Sequence, residues 1–302
     1  MKLDSKVVII GTGVAGMTAA LYLKRASIDS ILLDSAAPGG QINKTWTIDN
    51  YPGITHITGP ELAMSMLEQL NSLGVTYQYG EVVNIVDNTS YKTVITKDKE
   101  ITCEYVIIAT GRSPRKLGLP GENELTNRGI SWCAICDGPL YKGKDVAVIG
   151  GGNSAIEESL YLSNICSSVT IIHRKEQFTA DNNLVIRLKE HNNIRYLYSS
   201  SVETFLEKNN KLEGLEVKNL LTKTKEKVMI EGCFIYIGQV PNTDFITNLD
   251  ILDKDGYILV TENQETKVKN IFACGDVTKK ILYQIVTATA DGAVAATTII
   301  NR

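Results

Sequence analysis

The sequence holds no uninterrupted apolar run of about 18 residues, the least that crosses a bilayer as a helix. It has no surplus of positive charge either. Lys and Arg number 31 against 34 Asp and Glu, a formal net charge of −3, so no general affinity for nucleic acid or an anionic membrane is implied. Low-complexity segments are missing. The six cysteines fall at 103, 133, 136, 166, 233 and 274, and only Cys133 and Cys136 are close in sequence. A zinc knuckle needs a second such pair or suitably spaced histidines, and His173 and His191 do not provide it. The isolated Cys103, Cys166, Cys233 and Cys274 read as small buried hydrophobes. The opening residues carry Lys2, Asp4 and Lys6 and run straight into a glycine motif, the pattern of a first strand and not of a secretory leader. The expected compartment is the cytoplasm, where structural disulfides are rare. A close cysteine pair there points to catalysis or metal binding.

What is present is an ordinary globular composition: 302 residues, 43% hydrophobic and 22% charged. That length suggests about two domains, large enough for cores that need no disulfide staples. An internal repeat organises them. Lys6-Val-Val-Ile-Ile-Gly-Thr-Gly-Val-Ala-Gly16 is echoed by Asp145-Val-Ala-Val-Ile-Gly-Gly-Gly-Asn-Ser-Ala155. Each copy is an apolar run entering a glycine turn. A helical pattern follows (Met17–Arg25; Ile156–Ser163), then another apolar strand (Ser30–Leu33; Ser168–Ile172). Two strand–turn–helix–strand units are the mark of doubly wound α/β sheets.

Turn-rich stretches follow the apolar strands Tyr105–Ala109 and Cys233–Ile237: Gly111–Gly121 and Gly238–Thr243. The second repeat lies between them. The expected architecture is α/β, with two Rossmann-like, three-layer ββα nucleotide-binding domains, the second inserted in the first. The outer domain comprises 1–113 and 243–302; the inner, 114–242, carries the cysteine pair. Segments Val82–Val86, Thr93–Thr96 and Leu215–Val217 read as strands of side sheets.

Gly11-x-Gly13-x-x-Gly16, with Val14 and Ala15 between its glycines, fits a dinucleotide fingerprint in its required context, after a strand and opening a helix. Its glycines permit the tight turn, the approach of a pyrophosphate and close helix packing. Asp34, 18 residues beyond Gly16, is placed to accept hydrogen bonds from a ribose diol. Gly150-x-Gly152-x-x-Ala155, with Asn153 and Ser154, is the second fingerprint. His173, Arg174 and Lys175 stand where Asp34 stands in the first copy. Cations there suit a 2′-phosphate, hence NADPH over NADH; the alternative is a solvated basic turn.

Cys133-Ala-Ile-Cys136-Asp137-Gly carries the chemistry. Cysteines at i and i+3 can close a reducible disulfide across one turn. Asp137 beside them can pass a proton to a departing thiolate.

At this point the chain resembles the low-molecular-weight, bacterial-type thioredoxin reductase family. The Cys-Ala-x-Cys-Asp-Gly motif just before a second glycine fingerprint carries the resemblance. Gly39-Gly40-Gln41 with Asn50-Tyr-Pro-Gly53, Ala109-Thr110-Gly111, and Ile271-Phe-Ala-Cys-Gly275-Asp276 extend it over nearly the whole chain. The resemblance implies FAD in the outer domain, with Asp276 on the flavin ribityl chain and Gln284 and Ile285 among its contacts. It implies a nicotinamide nucleotide in the inner domain and a homodimer. Electrons would pass from FAD to the Cys133–Cys136 disulfide and on to thioredoxin or a thioredoxin-like protein. Cys136 would face the flavin, Cys133 would attack the substrate, and Asp137 would donate the proton. The larger disulfide reductases instead pair a CxxxxC motif with a C-terminal histidine, and neither is found here.

The chain departs from the family where the electron donor would bind. The family's His-Arg-Arg-x-x-x-Arg is here His173-Arg174-Lys175-x-x-x-Thr179, and its Arg-Gln-Ala is Tyr283-Gln284-Ile285. Lysine keeps charge but loses the bidentate fork; threonine loses the charge. The aromatic Tyr283 suits stacking near flavin or nucleotide. NADPH remains the first expectation. NADH, or no nucleotide with electrons from ferredoxin as in a ferredoxin-linked branch of the family, are the alternatives. A flavin-dependent oxidase of small dithiols and a non-catalytic flavin-binding or redox-sensing module are the competing functions.

Overall fold

The computed structural model describes residues 2–45 and 47–302. The chain divides into two compact units, Met1–Ser113 with Val240–Arg302, and Pro114–Gln239.

The first unit opens with β1 (Ser5–Ile10), α1 (Val14–Arg25), β2 (Ser30–Asp34), α2 (Gly59–Ser72), β3 (Tyr77–Tyr79), β4 (Val82–Asp87), β5 (Lys92–Thr96) and β6 (Glu100–Ile108). The chain then crosses through the short strand β7 (Arg112–Pro114). The expected helix at Met17 starts three residues earlier, because Gly13 is extended and serves as its N-cap. Lys24 and Arg25 sit in its last turn, where cations favour the helix dipole. β1 runs parallel to β2 on one side and to β6 on the other. Strands buried on both faces read as continuous apolar runs, and Val7, Val8 and Ile9 are fully buried. Alternation sends Val7 and Ile9 to one core with Met17, Leu23 and Leu62. Val8 and Ile10 go to another with Ile85, Val94 and Ile101. Each such side chain contributes roughly 1.5–3 kcal/mol through burial.

The second unit repeats this plan. Its elements are β8 (Ile130–Ser131), α3 (Ala134–Asp137), β9 (Asp145–Gly150), α4 (Asn153–Ser163), β10 (Ser168–Ile172), α5 (Asn182–Lys189), β11 (Ile194–Leu197), β12 (Ser200–Lys208), β13 (Lys211–Asn219), β14 (Lys225–Met229) and β15 (Gly232–Tyr236). A parallel sheet ordered β11-β10-β9-β15-β8 lies between helices and the antiparallel sheet β12-β13-β14. Val146 and Val148 face the helices, Ala147 and Ile149 the antiparallel sheet. The segment expected as a short strand at Leu215–Val217 is the middle of nine-residue β13, whose polar ends pair through the backbone and through the cross-strand ion pairs Lys218–Glu203 and Lys208–Glu213.

After the return crossing at β16 (Gln239–Pro241), β17 (Ile271–Ala273) joins β6 in parallel, and α6 (Ile285–Ile300) completes the first unit. The two halves of β6 differ. Residues 100–103 pair with β5, whereas 106–108 pair with β17. The fold is two Rossmann-like α/β units, the second inserted in the first. Among the described residues no helix is long and apolar enough to cross a membrane.

Candidate functional site

In the first unit, Gly11 adopts φ +110°, and a Cβ there would stand 2.3 Å from the Ala109 carbonyl oxygen. Only glycine fits that turn. Gly13 is the opposite case: a Cβ would meet nothing within 4 Å. Its open face above the α1 N-terminus is the cradle a pyrophosphate needs. Asp34 lies at this loop. Its Oδ2 accepts from the Thr12 N–H (2.6 Å) and hydroxyl (2.5 Å), and its Oδ1 from the Ala36 N–H.

The other predicted residues of this unit gather round the same loop. Gly39 donates its N–H to the Thr12 carbonyl, and Gly40 packs beside Gly13. The Gln41 side-chain amide donates to the Arg112 carbonyl at 2.7 Å. Thr110 and Asn242 exchange two hydrogen bonds, which fixes the strand end Ala109–Gly111. Asn50 donates to Gln284, the N-cap of α6. Gly275 is held by the Asp291 carboxylate, and Lys280 pairs with Asp291. Val14, Ala15 and Ile285 pack in the core below, with Ala15 directly against Gly292 of α6.

Sequence reasoning did not single out Arg112. Its guanidinium bonds Asp276 at 3.1 Å and lies over the Tyr283 ring, 3.8 Å from the centroid. Tyr283 in turn touches Tyr257, with ring centroids 5.8 Å apart. Tyr283 therefore stacks on a cation of its own unit. The buried Arg112 Nε has no protein partner. An open glycine cradle, a carboxylate at each end of the loop cluster and a spare buried donor fit a flavin dinucleotide. Gly11, Gly13, Val14, Ala15, Gly16, Asp34, Gly40, Gln41, Asn50, Ala109, Thr110, Gly111, Gly275, Asp276, Gln284 and Ile285 are the residues that would hold it.

In the second unit Gly150 (φ +149°) makes the corresponding turn, and Gly152 is open like Gly13. Two features alter the surroundings. The Thr179 N–H (2.7 Å) and hydroxyl (3.2 Å) both donate to the Gly151 carbonyl. Asp181 exchanges two hydrogen bonds with Asn153, the first residue of α4. His173 does not join Arg174 and Lys175 at the surface. It is buried beneath Gly151, its Nε2 lacks a partner, and burial and the neighbouring cations lower its proton affinity. It is thereby biased toward the neutral form, and the exposed Arg174 and Lys175 remain as cations.

The cysteine pair is a disulfide, with Cα atoms 5.3 Å apart. Cys133 caps the single turn of α3, and its Sγ accepts from the Cys136 N–H. Cys136 is exposed and Cys133 half-buried. The Asp137 carboxylate is held by the buried Ser131 hydroxyl at 2.5 Å, and the Cys133 N–H donates to the same hydroxyl at 3.0 Å. The Ala134 N–H donates to the Tyr236 hydroxyl at 2.7 Å. Neither Ser131 nor Tyr236 stands out in the sequence, each being the end of an apolar strand. The other four cysteines are buried. Burial pushes the Cys166 thiol up to about 11 and Cys103 to about 12, with Cys233 and Cys274 raised as well. Such thiols are inert at neutral pH.

Residues 5–292 match the pyridine nucleotide-disulphide oxidoreductase family. The chain is 42% identical over 293 residues to a thioredoxin reductase of Bacillus subtilis, covering 97% of this chain and 93% of the relative. It is similar in structure to Lactococcus lactis thioredoxin reductase, with TM-score 0.90, 42% identity and 97% of each chain covered. It is also similar to that of T. acidophilum, with TM-score 0.87, 34% identity and 99% of each covered. The chain belongs to the pyridine nucleotide-disulphide oxidoreductases, and within them to the low-molecular-weight, bacterial-type thioredoxin reductases.

Proposed function

We propose that this flavoenzyme carries electrons from NADPH through FAD to the Cys133–Cys136 disulfide, and from there to the disulfide of thioredoxin or a thioredoxin-like protein. The observation that carries the reading is the reducible pair itself, closed across one turn with an acid, Asp137, held beside it by a buried hydroxyl. When bound, FAD supplies two-electron exchange between a nucleotide and a disulfide. The chain's own groups do the rest. The Cys133 thiolate attacks the partner's disulfide, displacing one partner sulfur, which takes a proton from Asp137. Cys136 then attacks Cys133, gives up its proton to the second partner sulfur as that sulfur leaves, and restores the Cys133–Cys136 bond. Two electrons and two protons pass to the partner.

Arg174 and Lys175 support NADPH as donor, since both are exposed at the end of β10 and no carboxylate ends that strand. A second reading, single electrons from ferredoxin with no nucleotide, draws on the Thr179 and Asp181 contacts that close over the second fingerprint. Anaerobic mixing of the yellow enzyme with NADPH, NADH or reduced ferredoxin tests both. Bleaching of the flavin band by NADPH, faster than by NADH, is the expected result. Bleaching by ferredoxin alone replaces it with the second reading. Reaction in the cytoplasm by a homodimer completes the proposal, checked by fractionation and by molar mass in solution.

A further inference from the structure

Glu158 of α4 has an oxygen, Oε2, that is hidden from solvent and has no hydrogen-bond partner in the protein. A buried carboxylate oxygen in that position is costly if charged. Its surroundings explain why it matters. α4 packs against α3, the turn that holds the cysteine pair. Tyr236 of β15 packs against the same core as both helices, and its hydroxyl accepts the N–H of Ala134, the residue that follows Cys133. Ala134 is fully buried in the same cluster as Val148, Ile156 and Phe234. Glu158 is near enough for its charge to bear on the Tyr236 hydroxyl, and so is that of Asp137 from α3.

We propose that Glu158 is a positioning residue coupled to the Cys133–Cys136 pair through Tyr236 and the Ala134 backbone, so that opening the disulfide draws a proton onto its carboxyl. Burial, reinforced by the neighbouring Glu157, already lifts Glu158 to about 7. Tyr161 from the same helix also faces it. From α5, Arg187 and Lys189 are exposed, and from β9, Asp145 is exposed; β10 brings no charged side chain.

The step balances as follows. The disulfide takes two electrons and one proton, giving one thiol and one thiolate. The new negative charge raises the proton affinity of Glu158, which takes a further proton from water when it was ionised. At low pH Glu158 is protonated before and after, and contributes nothing. At high pH it is charged in both states and repels the thiolate. Reduction of the disulfide therefore weakens with pH more steeply than one thiolate alone requires.

The test equilibrates the FAD-loaded enzyme with a small dithiol–disulfide buffer between pH 6 and pH 8.5, then counts thiols by alkylation and mass. In wild type the reduction constant relative to Glu158→Gln falls about tenfold across this range, corresponding to one unit of coupling. Tyr236→Phe reduces that extra dependence, and Glu158→Asp restores part of it. Reduced-minus-oxidised infrared spectra gain a protonated-carboxyl band in wild type that Glu158→Gln lacks. An identical pH dependence in a folded, FAD-loaded Glu158→Gln enzyme, or no such band in wild type, overturns the inference. It rests on the redox reading of Cys133 and Cys136. Failure of that reading appears differently, as a disulfide that no electron donor opens through the flavin.

Discussion

Arg112 lies over the Tyr283 ring while reaching Asp276, so one guanidinium joins the start of β7 to the two segments that lead into α6. A stacked cation is worth about 0.5–2 kcal/mol, and a hydrogen bond to a charged group about 1.5–3 kcal/mol. Arg112→Ala should weaken FAD binding about tenfold by loosening Asp276. Tyr283→Phe, which keeps the stack, should leave it near wild type. Fluorescence titration of the flavin-stripped protein checks both. An unchanged FAD affinity in Arg112→Ala would remove Arg112 from the cofactor site.

Cys133→Ser and Cys136→Ser should each abolish disulfide reduction while retaining FAD. They should differ with an oxidised thioredoxin. A free Cys133 in Cys136→Ser should form a stable mixed disulfide, whereas Cys136 in Cys133→Ser should form little. Within its own unit Cys136 is the more exposed sulfur, so the trap decides between exposure and the role assigned by resemblance. Mass spectrometry of the adducts reads the result.

Thr179→Arg should lower the KM for NADPH about tenfold and leave that for NADH unchanged, since one added charge-assisted hydrogen bond acts only on a 2′-phosphate. The Thr179 N–H bond to Gly151 belongs to the backbone and survives the change. Equal effects on both nucleotides, by steady-state kinetics, would place the 2′-phosphate elsewhere.

Glu158 also has a consequence for stability. Its carboxyl is lifted from an ordinary value near 4.5 to about 7 in the folded unit. The stability linked to its proton is thus fully present below about pH 4.5. It is lost as pH rises through 7, because the folded state binds the proton more tightly than the unfolded chain. Glu158→Gln should raise the thermal midpoint at pH 8 and leave it almost unchanged at pH 5. The gain at pH 8 should be on the order of 3 kcal/mol, from a shift between 4.5 and about 7 at about 1.4 kcal/mol per unit. A constant difference at both pH values would mean that Glu158 is ionised throughout.

Much of this molecule is legible in short windows. The repeated run into Gly11 and Gly150, and the pair Cys133/Cys136, are local signals, because a tight turn and an i, i+3 disulfide are set by neighbours. The contacts that tune them are not local. Tyr236 meets Ala134 from 102 residues away, and Arg112 meets Asp276 from 164. Tyr236 closes an apolar strand and looks like core. Glu158 follows a glutamate in the second turn of α4, and nothing in the sequence marks which of the two turns inward. His173 sits in a run of basic residues, yet Gly151 has no side chain, and the imidazole fills the space under it. The first residues of α1 and α4 lie inside the glycine motifs because an extended glycine caps each helix.

The split of the first unit sets an order of events during synthesis. Phe272 of β17 and Ala295 and Ala296 of α6 are fully buried in the core built on β1 and α1, yet they leave the ribosome after the whole of Pro114–Gln239. The inserted unit has every strand and helix of its own cores by residue 239 and is free to fold first. The opening segment must wait, the cores on both faces of β1 incomplete, until the residues after 239, with β17 and α6, arrive. Ribosome-bound chains arrested after residue 239 with enough length to clear the exit tunnel, but before 271 has emerged, should therefore resist protease across 114–239 and be cut within 1–113. The insertion is thus a timing device as much as a spatial one: the half of the enzyme that carries the disulfide is finished before the half that would hold the flavin can close.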